Sequence, residues 1–310
     1  MTARDGQPWP PLPLMKNEDV IEAPVDRDLL TQRYTQEAVR FIRQNQNQPF
    51  FLYLPHAMPG STAHPFASKP FQGKSKNGPY GDSVEELDWS TGEILDVLDE
   101  LNLAQQTLVI WTSDNGAPRR NPPQGSNHPL GGWGYSVMEG GMRVPCLIRQ
   151  PGRIPAGAVS DELTTMMDLL PTLAAISGAT ASTRGPIDGH DLSELLANPA
   201  NVESPWRGFL YYYRDQVQAV RDHRWKLHLP RSDKQTDLNG SRVSAAEARL
   251  FDLQNDIGET TNVAADHPDI VARLTQLAKE LSEETGDGAI RGSGERSVGR
   301  HPNPQPQLLR

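Results

Sequence analysis

Apolar residues recur with a helical period from Leu29 onward. Leu30, Tyr34, Ala38, Phe41 and Ile42 fall near one face, with Arg33, Gln36, Glu37, Arg40 and Arg43 mostly opposite, which predicts a helix stopping near Asn45. The polar run 45–48 and Pro49 lead into Phe50-Phe51-Leu52-Tyr53-Leu54, an unbroken apolar run that predicts a buried strand. Asp82 opens the clearest helix, with Glu85 at capping-box spacing and Val84, Leu87, Ile94, Leu95, Leu98 and Leu101 recurring behind it. The many acidic groups of this segment read as a solvated face rather than as paired catalytic carboxylates. The helix leads into Leu108-Val109-Ile110-Trp111, a second apolar run without alternation. Strand, helix, strand in this order predicts a βαβ unit with parallel pairing and a right-handed crossover.

Residues 116–132 are rich in Gly, Pro and Asn and have no period, so a long loop is expected. Glu139-Gly140-Gly141-Met142-Arg143 follows and enters a strand over 144–149; Glu139 and Arg143 are expected to pair with each other or with near neighbours. A helix is predicted over 161–178, with Asp168 capping its start and Ser177-Gly178 closing it. From Phe209 the pattern changes to short strands, 209–214, 218–221, 225–229 and 250–253, and then to an amphipathic helix over 268–281. The chain therefore reads as an α/β protein: a partial, mostly parallel sheet flanked by helices over 28–204, and a small antiparallel sheet with one helix over 205–285. A Pro-rich extended lead over 1–27 and a disordered Gly-, Arg- and Pro-rich tail over 286–310 complete it.

A net charge of −9 excludes a nucleic-acid binder that relies on a basic stripe. The single cysteine, Cys146, excludes an internal disulfide framework and a Cys-rich zinc site, and its strand-like setting predicts a buried, inert thiol. No apolar run is long enough to span a membrane, and the first thirty residues do not resemble a signal peptide. Candidate chemistry gathers at strand ends. Asp114 and Asn115 follow the run 108–111 directly, and ligands in open α/β sheets sit outside the carboxyl ends of strands. Two hard oxygen donors there suit Ca²⁺ or Mg²⁺, although Asp-Asn-Gly is also ordinary turn chemistry. His56 and His64 lie in the loop after 50–54, either as ligands or anchors for an anionic group or as solvated side chains. Trp133 and Tyr135 offer a platform for an aryl group or sugar, and surface packing explains them equally well.

The run from Phe50 to Gly178 resembles the type I sulfatases, arylsulfatase-like enzymes of the alkaline-phosphatase superfamily. The matching motifs are Phe50-Phe51-Leu52-Tyr53-Leu54, Ala67-Ser68-Lys69-Pro70-Phe71 with Gly81-Asp82, Thr112-Ser113-Asp114-Asn115-Gly116, Glu139-Gly140-Gly141-Met142-Arg143-Val144-Pro145 and Met167-Asp168-Leu169-Leu170-Pro171-Thr172-Leu173. In the smaller sheet, Leu250-Phe251-Asp252-Leu253 and Asp256-Ile257-Gly258-Glu259-Thr260-Thr261-Asn262 continue the likeness. The resemblance implies hydrolysis of sulfate esters of a small molecule or glycan, Asp114 and Asn115 as half of a Ca²⁺ or Mg²⁺ site, and a sulfate-binding histidine, carried over to His64 with His56 as its rival. It also implies a formylglycine nucleophile made from Cys-x-Pro-x-Arg. That motif and an early Asp-Asp pair do not occur in this sequence, so the chain is expected to be a C-terminal portion. It would then rely on an upstream segment, or on self-association to cover its exposed sheet edge. The family's sulfate-binding Lys aligns with Gly134, leaving His128 or Lys74 to replace it. An inactive sulfatase-like binding module and a phosphoesterase of the same superfamily are the alternatives. The family is commonly exported, which leaves localisation open.

Overall fold

The computed structural model describes residues 11–60, 62–121, 123–180, 186–230, 247–297 and 299–303. The chain forms two compact units, one running to Asn102 and including the residues from Ser297, the other Leu103–Arg296.

In the first unit, part of the expected structureless lead forms a hairpin of β1 (Leu14–Lys16) and β2 (Asp19–Glu22), with Asn17 at a left-handed φ of 55° in its turn. Helix α1 (Leu30–Gln44) buries Leu30, Thr31, Thr35, Ala38 and Ile42. It packs on α2 (Gly78–Glu100), with Thr35 Oγ1 2.6 Å from Ser90 Oγ and Arg43 gripping Glu100 through its two terminal guanidinium nitrogens. Asp82 does not cap the start of α2. The helix begins a turn earlier, where Pro79 is tolerated for want of a backbone donor, and the buried Asp82 carboxylate accepts the N–H groups of Gly73, Lys74 and Ser75. The run 50–54 is extended but not a strand, and Phe51 and Tyr53 are 72% and 76% exposed because no neighbouring strand pairs with it among the described residues.

In the second unit, β3 (Val109–Thr112) pairs antiparallel with β4 (Cys146–Arg149), placing Thr112 opposite Cys146. Every strand pairing among the described residues is antiparallel, so the expected parallel βαβ pairing does not form there. Cys146 is exposed rather than buried, since among the described residues β4 pairs with β3 alone; partial burial still pushes its thiol pKa up. Between these strands lies the one-turn helix α3 (Glu139–Met142). Helix α4 (Leu169–Ser177) starts later than its periodicity predicts, because a 3-10 turn precedes it in which the Asp168 carboxylate accepts the Thr165 N–H at 2.6 Å; Gly178 ends it at φ 71°. The short α5 (Ser193–Ala197) follows.

The meander β5 (Phe209–Tyr213), β6 (Gln216–Arg221), β7 (Trp225–His228) and β8 (Arg249–Asp252) forms a four-stranded antiparallel sheet in sequence order. One face packs on α6 (Pro268–Thr285): Leu274 and Ala278 meet Val217, Val220, Leu227 and Leu250 in the main apolar core. Val137 packs with Tyr211 and Ala219 in a second, smaller cluster. The expected division near residue 205 falls inside this unit, because β6 and β7 send buried charges to Glu139. The start of the expected disordered tail is also held: Gly288 N–H donates to Asp215 O, Ser293 N–H to Glu283 O, and Arg296 pairs with Asp188. The remainder of that tail from 304, and 181–185 of the expected linker, lie outside the described residues.

Candidate functional site

The site is built on the end of β3. Beyond Thr112 the chain leaves the ladder, Ser113 Oγ–H donates to Asn115 O, and Asp114 projects as an exposed residue. Asn115 Nδ2–H donates to Gly116 O at 2.9 Å, which turns the amide oxygen away from that bond and leaves it available as a ligand. Backbone contacts then lock the turn. Gly116 N–H donates to Gly141 O at 3.1 Å, Gly134 N–H to Ala117 O at 3.0 Å, and Gly140 N–H to Gly131 O at 2.7 Å. The Asn127 side chain clamps both backbone groups of Ala117, at 2.7 and 2.9 Å. These approaches demand glycine: a Cβ on Gly116 would overlap the Gly140 carbonyl, and one on Gly134 would overlap the Gly116 carbonyl.

Beneath this turn lies a buried ionic cluster. Strand alternation puts Trp225 and Leu227 toward α6 and sends Lys226 and His228 to the opposite face. There Lys226 Nζ, fully buried, donates to Glu139 Oε1 at 2.9 Å and Val137 O at 2.8 Å, lies 3.2 Å from Glu259 Oε1, and stands 4.0 Å from the Tyr211 ring centroid. Glu139 also accepts Arg221 Nη1–H at 2.7 Å and the Tyr211 hydroxyl at 2.6 Å. Glu259 accepts the Glu139 backbone N–H at 2.6 Å and pairs with His228 Nε2 at 2.6 Å, from a left-handed φ of 56° that is unusual for a residue with a side chain.

Burial opposes ionisation of Glu139, but Lys226, Arg221 and the Tyr211 hydroxyl outweigh it and hold the carboxyl at about 2. Burial likewise opposes ionisation of Glu259, whose pKa Lys226 and His228 nevertheless bring down. Burial depresses His228 in spite of Glu259, so its imidazole is neutral and Nε2–H is the donor to that carboxylate. Two carboxylates and two cations thus balance, with most of their lone pairs and protons engaged. The pairing expected between Glu139 and Arg143 is not the one formed: Arg143 is exposed, and partners more than eighty residues away hold Glu139.

Both histidines fall in the first unit. His56 Nε2 lies 3.3 Å from Ser90 Oγ, its buried Nδ1 has no hydrogen-bond partner, and burial lowers its pKa. His64 is exposed, with its backbone N–H held by Thr62 Oγ1. The oxygens of Asp114 and Asn115 suit a hard cation but are fewer than the six to eight that Ca²⁺ takes. Among the described residues no group of three or more His, Cys, Asp or Glu side chains gathers as a metal site. The pair therefore fits such a cation as a partial ligand set.

Similarity to known proteins places this α/β chain, with its oxygen-bearing turn at a strand end and glycine-locked loop behind it, in a family. The Sulfatase family profile matches residues 7–179, and the profile of the N-sulphoglucosamine sulphohydrolase C-terminal region matches 134–286. Mouse steryl-sulfatase is 43% identical over 217 residues, covering 68% of this chain and 34% of that protein. Human N-acetylgalactosamine-6-sulfatase is 42% identical over 203 residues, covering 64% and 38%. The solved structure of Ps i-CgsB in complex with k-i-k-neocarrahexaose superposes with a TM-score of 0.69 at 27% identity, covering 87% of this chain and 58% of that one. The chain belongs to the sulfatase family. It spans a little over a third of the length of those two curated relatives.

Proposed function

We propose that a polypeptide containing this chain hydrolyses sulfate esters, with Asp114 and Asn115 as two of the oxygen ligands of Ca²⁺ or Mg²⁺. The observation that carries the reading is the Asp114-Asn115-Gly116 turn, held at the end of β3 by the Gly116–Gly141 and Gly134–Ala117 hydrogen bonds in a chain of this family. When bound, the cation would neutralise charge on the sulfate oxygens. Asp114 and Asn115 orient it, and the Gly131–Gly141 segment fixes their backbone. Of the two histidines His64 is the exposed one, while His56 is engaged with Ser90, which supports His64 as the sulfate-binding histidine. The relatives' names and the k-i-k-neocarrahexaose in the Ps i-CgsB structure support a sulfated small molecule or glycan as substrate. The reading includes a mostly parallel sheet in the complete fold, supported by the unpaired extended run 50–54 with its two exposed aromatics. It also includes a formylglycine nucleophile supplied from outside this sequence.

Aryl-sulfate hydrolysis is the test, assayed with this chain alone and with the longest polypeptide its reading frame encodes. Metal-dependent release of sulfate that Asp114→Ala abolishes is expected of the longer species. Hydrolysis that is indifferent to both the metal and Asp114 would contradict the reading.

A further inference from the structure

The loop that follows the Asp114-Asn115 turn is cationic in an acidic protein. Between Asn115 and Met138 stand Arg119 and Arg120 and no Asp, Glu or Lys, although the chain as a whole carries −9. Both arginines follow the turn within five residues of Asn115. Ala117 is tied to Gly134 and to Asn127 on both of its backbone groups, so the two residues that follow Pro118 leave from the same locked corner as Asn115. Arg119 is exposed, and its Cζ stands 5.1 Å from the centroid of the Trp133 ring. Arg120 has a buried Nε with no hydrogen-bond partner. Trp133 in turn is fixed by its backbone N–H, which donates to Ser136 Oγ at 3.0 Å. Gly134 beside it carries no side chain and has no room for one, since a Cβ there would overlap the Gly116 carbonyl. Any cation serving this corner therefore has to come from another position, and Arg119 is the one that the indole holds beside it.

We infer that Arg119, stacked on Trp133, is the anion-binding residue of this site and takes the sulfate group of an organosulfate substrate. A guanidinium matches the oxygens of a sulfate through paired N–H donors, and a tetrahedral oxyanion is better met by that fork than by a point charge. Stacking on the indole limits the rotamers of a long side chain, so less entropy is lost when the anion binds. Arg120 adds a second positive charge beside it. The inference rests on the sulfate-ester reading above and deepens it by naming the group that meets the sulfate.

Isothermal titration of the full chain with phenyl sulfate, in calcium-containing buffer, tests the assignment. Arg119 is exposed, so Arg119→Ala is expected to fold, which its circular dichroism checks. Loss of a charge-assisted pair should weaken binding by about tenfold or more. Arg119→Lys should recover part of the loss, and Trp133→Leu should fall between wild type and Arg119→Ala, because the cation is kept but no longer held. Arg153→Ala, at an exposed cation in the turn after β4, should bind as wild type does. Equal binding by wild type and Arg119→Ala, equal losses in Arg119→Ala and Arg153→Ala, or no binding of phenyl sulfate by the wild-type chain would each overturn the assignment. The metal dependence of hydrolysis through Asp114 is read in a separate assay, so either idea can fail while the other stands.

Discussion

Replacing Glu139 by Gln removes the charge at the centre of the buried cluster while keeping its size. In the folded chain the carboxyl is lowered from 4.5 to about 2. At about 1.4 kcal/mol per pH unit, the ionised side chain contributes on the order of 3 kcal/mol at neutral pH. The sign follows from the depressed value: between about pH 2 and 4.5 the unfolded chain binds a proton that the folded chain refuses. The contribution is therefore complete above about pH 5.5 and fades as pH falls toward 2. Urea unfolding followed by tryptophan fluorescence, at steps from pH 7 to pH 2.5, reads it as the difference between wild type and Glu139→Gln. That difference should be about 3 kcal/mol or more at pH 7 and shrink by roughly 2 kcal/mol by pH 2.5. Carboxylates away from the cluster titrate in both proteins and cancel. A difference that stays constant across this range would refute the claim that Glu139 is held ionised by Lys226 and Arg221.

Lys226→Met should cost about 3–5 kcal/mol, because it strands Glu139 and Glu259 as buried carboxylates short of a cation, and adding Glu139→Gln should restore part of the loss in a double-mutant cycle. Gly116→Ala should lower the melting temperature and abolish the calcium response together, since its Cβ would overlap the Gly140 carbonyl that packs the turn. His64→Ala should leave unfolding within about 0.5 kcal/mol of wild type, as expected of an exposed side chain. His56→Ala should cost about 1 kcal/mol or more through the lost Ser90 contact and ring packing, read by the same denaturation curves.

The sequence shows its local elements better than its partnerships. Helix α1, the four-stranded meander and α6 carry their periods openly, and the structure forms them close to the expected bounds. Runs such as 50–54 and Leu108–Trp111 announce extended chain, but whether such a run is buried depends on neighbours, and a run of Phe, Leu and Tyr does not name them. Asp114 and Asn115 are legible as hard donors at a strand end, although the same residues are ordinary turn chemistry and the family motif is what separates the two readings. Lys226 and His228 did not, since period-two alternation with Trp225 and Leu227 reads as one apolar and one solvated face. The second face is covered by Val137 and Glu139, a contact across more than eighty residues that no local pattern records. Gly258 and Glu259 were visible only as part of a family motif. Their physical task, a carbonyl packed on Gly131 and a left-handed carboxylate under Glu139, is tertiary.

The central claim is that the Asp114-Asn115 turn is a divalent-cation half-site, and calcium titration of the purified chain followed by thermal unfolding tests it most directly. Ca²⁺ should raise the melting temperature of the wild-type chain in a concentration-dependent way and leave Asp114→Ala unmoved. An equal rise in both proteins, or none in either, would contradict the account.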